Sequence, residues 1–393
     1  MKTLYKRLIS ISMVIFCSVL LFTSCEDFLA EKPYDFYDEQ DFYKDVSELE
    51  LAVNGAYEVL SQKMTYGHFM LVNDCDTDLS HIKGSGTGHT ARDLGHYNIY
   101  TSHNWLEEAW GYYYTGIDRV NRIMANKDRV DLPDETSQAT FKRLIAEARL
   151  LRGICYFDLV RMWGDVPYFD KIIESNDEVA NISRTSITEI KQHIYDDFTY
   201  AWEKLPAKPV ALGRFTKWGA LAFRGKLQLF WACWNRTSWP WDTPVSPNGG
   251  WPELDTFTPN ASESVQAYKD AAADFKKVIE ESGINLFRSG EPGDWGEMGG
   301  CEVLPNYFYL FLPTANTDPE LMVGFTHGGT GTGQGEELMR DFGTRATEGS
   351  QGWGQPRAEL ANRYQSTVTG DFCEKLIPRN PADADARTAV NSA

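Results

Sequence analysis

The sequence predicts an all-α protein made of helix pairs that carry long irregular insertions. Three observations lead to this expectation. Apolar residues recur at three- and four-residue spacing in six separate windows, which is the period of one helix face. Proline, glycine and capping side chains punctuate the ends of those windows. Small residues such as Gly116, Ala148, Ala222 and Gly225 sit on the apolar faces, where they let helices approach closely.

The first window spans 42–62, with Phe42, Val46, Leu49, Val53, Ala56, Tyr57 and Leu60 marking its face. The second spans 103–126, with Trp105, Ala109, Tyr112, Tyr113, Gly116, Ile117, Val120 and Met124. The third, 141–163, is the most apolar. Phe141, Leu144, Ile145, Ala148, Leu151, Cys155, Leu159 and Val160 form a stripe that Tyr156, Phe157 and Trp163 widen until most of the girth is expected to be buried. Gly164 to Pro167 ends it, because proline cannot continue a helix and glycine tolerates the turn. The fourth window, 187–205, opens on a capping box at Ser186 and Glu189 and stops at Pro206, with Ile187, Ile190, Ile194, Phe198, Trp202 and Leu205 inward. The fifth begins near Thr216 and turns Trp218, Leu221, Ala222, Gly225, Leu229 and Ala232 to one face. The sixth, 264–282, uses Val265, Tyr268, Ala272, Phe275 and Ile279, with Gly283 suited to the position after its end. Six helices in three antiparallel pairs resemble tetratricopeptide units, whose period is about 34 residues. Strict repetition fails at two insertions, 63–102 and 235–262, and long loops on a rigid scaffold are where binding usually sits.

The N-terminus reads as a lipoprotein signal over residues 1–24. Lys2, Lys6 and Arg7 precede an apolar run from Leu8 to Phe22 that is short for a spanning helix. Thr23 and Ser24 then place small residues before Cys25, the expected lipidation site and mature N-terminus. Glu26 and Asp27 follow, an acidic pair that resembles a surface-export signal. Loss of 1–24 removes three cations and no anions, taking the formal charge from −18 to −21. Such a chain repels nucleic acid and anionic lipid, so a lipid anchor rather than a basic patch is expected to hold it to a membrane. The remaining cysteines, Cys75, Cys155, Cys233, Cys301 and Cys373, are odd in number and contain no C-x-x-C pair, which excludes a disulfide framework or zinc site.

The wording of the third helix is more specific than its period. From Glu147 to Pro167 it reads E-A-R-L-L-R-G-I-C-Y-F-D-L-V-R-M-W-G-D-V-P. This closely resembles the signature helix of the SusD/RagB family, E-A-R-F-L-R-A-x-x-Y-F-x-L-V-R-x-[FYW]-G-D-V-P, with Gly153 in place of the usual alanine. Gly213 to Lys217 resembles the family's G-R-x-T-K lead-in, with Lys226 where a helix lysine usually follows and Trp218 departing from the small residue common there. Pro356 to Tyr364 resembles P-T-Q-E-L-V-D-A-Y, with departures at Arg357 and Ala358, and Asp318 to Phe325 resembles the short extended segment before it. The resemblance covers about the whole chain as one domain, 25–393, with an N-terminal part 25–235 and an insertion and second part 236–393. A further helix pair with the pattern R-x-A-D-[VL]-x-L-x-x-A-E-A finds no match in the small, polar tail 381–393, so the chain is expected to be a C-terminally incomplete member.

The resemblance implies an outer-membrane lipoprotein, surface-exposed, that captures an oligosaccharide or other nutrient and delivers it to a TonB-dependent transporter, without catalysis or cofactor. Two other classes remain open: a lipid-anchored glycoside hydrolase using a carboxylate pair among the 56 acids, and a peptide-binding scaffold. Motifs for chemistry are weak. Asp74, Asp76 and Asp78 space like a calcium loop, but Leu79 and Ser85 break the EF-hand pattern. The glycine-rich stretches 84–88 and 328–335 lack the Lys-Ser/Thr of a phosphate loop. His81, His89, His96 and His103 share no common face as a metal cluster. The loop aromatics are more telling. Trp239, Trp241, Trp251, Trp295 and Tyr97 lie outside the helical windows, and flat rings stack on the C–H faces of sugars. These five are the expected ligand-binding residues.

Overall fold

The computed structural model describes residues 42–67, 77, 80–82, 90–96, 98–236, 258–287, 315, 317–324 and 354–356. The chain divides into Met1–Lys44, of which 42–44 are described, and Asp45–Ala393. The described residues of the second unit are mostly helical, with the tetratricopeptide-like helix pairs that the periodicity predicts. Its long helices are α1 Val46–Leu60, α3 Asn104–Asn126, α4 Glu135–Trp163, α6 Ile187–Lys204, α7 Lys217–Trp234 and α8 Ala261–Glu281. Short helices α2 Thr90–Gly95 and α5 Asn176–Ala180 lie in connections, and β1 Ser80–Ile82 pairs antiparallel with β2 Gly354–Pro356. Each long helix packs on the next, and α1 also meets α4, so the core runs as a continuous seam along the array. Among the described residues, no helix is long and apolar enough to cross a membrane.

The helix starts are chemically marked. Asp45, Asp134, Ser186, Thr216 and Asn260 each accept a backbone N–H of their own first turn, satisfying donors that a helix leaves orphaned. Three of these caps move expected boundaries, Asn260 by starting α8 at Ala261 instead of 264. The first helix begins at Val46 and leaves Phe42 outside, because Asp45 receives the amides of Ser47 and Glu48 at 2.8 and 3.0 Å. The third begins at Glu135, six residues before its apolar stripe, because Asp134 caps it and the polar first turns lie in solvent. From Leu144 to Val160, α4 is buried at every position but Arg149. It stops at Gly164, whose φ of 70° is a left-handed conformation that glycine adopts without strain.

The motif residues turn out to be ties between helices. Glu147 is fully buried and accepts from Arg143 at 2.6 Å and from Arg214, in the lead-in to α7, at 2.8 Å. The same two arginines reach Glu50 on α1. Arg152 clamps Asp197 of α6 with two hydrogen bonds of 2.8 and 3.0 Å, and Arg149 adds a third at 2.7 Å. The Tyr156 hydroxyl donates to the Phe169 carbonyl and accepts its amide, fixing the chain after the helix stop. Asp165 accepts the Ile187 amide at 2.7 Å, a side-chain cap on α6 supplied from outside that helix. Arg224 of α7 makes a like clamp on Asp274 of α8, at 2.8 and 2.6 Å. Bidentate guanidinium–carboxylate pairs fix geometry as well as energy.

The structure corrects three expectations. The inward face of α8 is Ser264, Ala267, Ala271, Asp274 and Val278, one residue round from the expected stripe. Val265, Tyr268 and Ile279 are 55, 37 and 75% exposed, and Ala272 is exposed as well. The polar residues turn inward because they are satisfied there: Ser264 donates to the Ala232 carbonyl at 2.7 Å and Asp274 meets Arg224. The small Ala267 and Ala271 then let α7 approach, and the Phe275 ring lies against Gly225. On α7 itself Leu229, expected on the inward face, is 40% exposed. Finally, Asp318 to Leu321 forms a turn rather than an extended segment, with Asp318 accepting the Glu320 amide.

Candidate ligand-binding site

Trp239, Trp241, Trp251, Trp295 and Tyr97 lie outside the described residues, as do Cys25, Asp74, Asp76, Asp78 and the two glycine-rich stretches. Of the histidines, His103 is buried as the residue before α3, with Nε2 3.0 Å from the Thr90 carbonyl. Among the described residues, no cluster of three or more His, Cys, Asp or Glu is placed to hold a metal ion.

The described residues form a different concave surface. A cleft of about 350 Å³ opens between one face of α3 and the segment that follows α4. Trp110, Tyr114, Asp118 and Arg122 come from α3, and Pro167, Phe169, Lys171, Ile173 and Val179 from the facing segment and α5. The α3 residues recur every four positions, one above the other on the helix surface. They flank the buried stripe of Ala109, Tyr113, Ile117 and Val120 that anchors α3 to its neighbours. The facing wall is held by the helix stop. Pro167 offers its carbonyl to the Tyr114 hydroxyl at 2.7 Å, while Asn121 donates to the carbonyls of Phe169 and Lys171 at 3.1 and 3.0 Å.

The lining is aromatic, and its rings pack on one another. Trp110 packs edge-on against Trp163 at 5.2 Å and lies 4.9 Å from Tyr114, which meets Phe169 at 5.6 Å. Burial raises the Tyr114 phenol well above its ordinary pKa, so it stays a neutral donor to Pro167. The charged lining residues are paired. Asp118 meets Arg122 at 2.8 Å with both side chains partly exposed, and Lys171 meets Glu178 at 3.2 Å. Apolar walls with a few polar groups at the rim are the usual make-up of a small-molecule site. A second cleft, of about 380 Å³, lies between α7, α8 and residues 320–323, where Lys226 and Glu320 are its charged members.

Loop position guided the sequence reading to other aromatics and passed over this cleft. The available signal was the four-residue repeat Trp110, Tyr114, Asp118, Arg122, which runs beside the core stripe instead of within it.

Paired helices in a continuous array, with an aromatic cleft against one of them, define a helical-repeat scaffold. The chain belongs to the SusD-like family: its residues 27–229, just over half the chain, match the family model described as "Starch-binding associating with outer membrane". A SusD-like protein of Formosa agariphila is 26% identical over 215 residues, 52% of this chain and 40% of that protein. A SusD-like protein of Bacteroides ovatus is 27% identical over 233 residues, 57% of this chain and 40% of that protein. The chain thus spans less than half the length of these curated relatives. Among solved structures, a SusD-like protein of Bacteroides fragilis shares the fold with a TM-score of 0.62 at 18% identity, covering 88% of this chain and 57% of that one.

Proposed function

We propose that this protein binds glycans at the outer membrane and passes them to a TonB-dependent transporter without cleaving them. Membership of the SusD-like family supports this reading most directly, through the starch-binding and outer-membrane association in the family's description. Further support comes from a fold shared with a structure solved "with xylogluco-oligosaccharide" (TM-score 0.51, 19% identity, 74% of this chain and 49% of that one). The mature chain begins at Cys25, is held at the cell surface by lipid on that residue, and forms one domain over 25–393. Delivery to the transporter follows from the family resemblance of the signature helix. The loop aromatics Trp239, Trp241, Trp251, Trp295 and Tyr97 are proposed ligand contacts.

Incubation with a panel of neutral polysaccharides tests the reading. Retardation in polysaccharide-containing gels with no released product is expected. Released oligosaccharide would favour the hydrolase, and neither retardation nor product would favour a peptide-binding scaffold.

A further inference from the structure

We propose that the cleft on α3 is itself a sugar-binding site, taking one neutral pyranose ring against Trp110 with its hydroxyls on the Asp118–Arg122 pair. The proposal rests on the glycan-binding reading and assigns binding to helix-borne residues that the loop aromatics do not include.

Size, shape and charge each support it. The volume of about 350 Å³ falls within the range of small-ligand sites. The rings of Trp110, Tyr114 and Phe169 are contiguous, and the Tyr114 bond to Pro167 holds them in place before a ligand arrives. A ring with one apolar C–H face matches such a surface.

The polar groups narrow the choice. Asp118 meets Arg122 and Lys171 meets Glu178, so each charged lining residue already faces an opposite charge. Asp118 and Arg122 remain 41 and 35% exposed, so the pair itself lies within reach of a ligand. A hydroxyl both donates and accepts, so it can use the two together. An aliphatic peptide side chain would fill the walls but strip water from the ion pair without replacing its hydrogen bonds, which is unfavourable. A phosphate or carboxylate ligand would meet Asp118 directly.

Fluorine NMR of the full chain labelled with fluorotryptophan tests the assignment, with Trp110→Phe identifying the Trp110 resonance. Neutral cello-, xylo-, malto-, laminari- and manno-oligosaccharides are titrated in turn, with total binding followed by calorimetry. At least one is expected to move the Trp110 resonance saturably. Asp118→Asn should weaken that titration at least about ten-fold, as expected for loss of a single hydrogen bond to a charged group, with an unchanged melting midpoint. A glycan that saturates the protein by calorimetry while the Trp110 resonance stays fixed would overturn the cleft assignment and leave glycan binding intact. No heat and no shift with any member of the panel would overturn both.

Discussion

Arg214 donates to Glu147 at 2.8 Å across 67 residues of sequence, and both belong to stretches by which the family is recognised. The pair joins the lead-in of α7 to the middle of α4, and Glu50 on α1 accepts from the same guanidinium at 3.1 Å. The signature is thus a set of interlocking ties in the helix array. Removing this fully buried carboxylate takes the closest acceptor from Arg143 and Arg214 together and leaves both to the more exposed Glu50, whereas removing Arg214 leaves Glu147 its bond to Arg143. Glu147→Ala is expected to lower stability by about 3–5 kcal/mol, the usual effect of breaking a buried pair. Arg214→Ala should do clearly less. Urea denaturation of both variants checks the order, and equal losses would contradict the shared-acceptor account.

Gly153 stands where the resembling family usually has alanine, and the structure supplies a reason. A Cβ there would lie 2.6 Å from Cε1 and 2.9 Å from Cδ1 of the Phe198 ring, which is fully buried on α6. Alanine favours a helix over glycine by up to about 1 kcal/mol. Overpacking a filled core costs about 1–3 kcal/mol and is expected to outweigh that gain. Gly153→Ala should therefore melt earlier, and Phe198→Leu should restore part of the loss when combined with it. A higher melting midpoint for Gly153→Ala alone would refute the close-contact reading.

The six long helices, their order and three of their starts were legible because they depend on local chemistry: apolar spacing, a capping oxygen, a glycine after the last turn. Ser186, Thr216 and Gly283 are examples, and each acts within a few residues of its own helix. The face of α8 was not legible, because Asp274 turns inward only where Arg224 waits 50 residues away. The candidate site escaped for a similar reason. Trp110 belongs to a helix, and only the placement of Pro167 and Phe169 opposite it makes a cleft.

Asp158 provides a pH-dependent test. Its carboxylate is buried, 3.2 Å from Arg161, and the phenols of Tyr66 and Tyr113, the Cys155 thiol and Lys226 surround it. Burial raises its pKa above the ordinary 3.8, with Arg161 opposing the shift. The folded state thus holds this proton more tightly than the unfolded chain does. The stabilisation is complete below 3.8 and is lost as pH rises from there through the folded value. Asp158→Asn should remove this component, so that its melting midpoint falls less than that of the parent as pH is raised across the window. A parallel pH dependence in the two proteins would show that Asp158 does not titrate as described.

Cys25 is the expected anchor. Cys25→Ala should abolish labelling by a fatty-acid analogue and release most of the protein from the membrane fraction. Labelling and membrane retention that both persist would contradict the lipoprotein reading.

Glycan binding is the central claim, and calorimetric titration of the full chain with a neutral oligosaccharide tests it most directly. The oligosaccharide is taken from whichever polysaccharide retards the protein. The account expects saturable binding, recovery of the ligand intact, and an affinity that changes little between low and high salt, because the contacts are rings and hydroxyls rather than opposed charges. Absence of saturable heat across the whole panel, or recovery of the ligand as cleaved product, would contradict it.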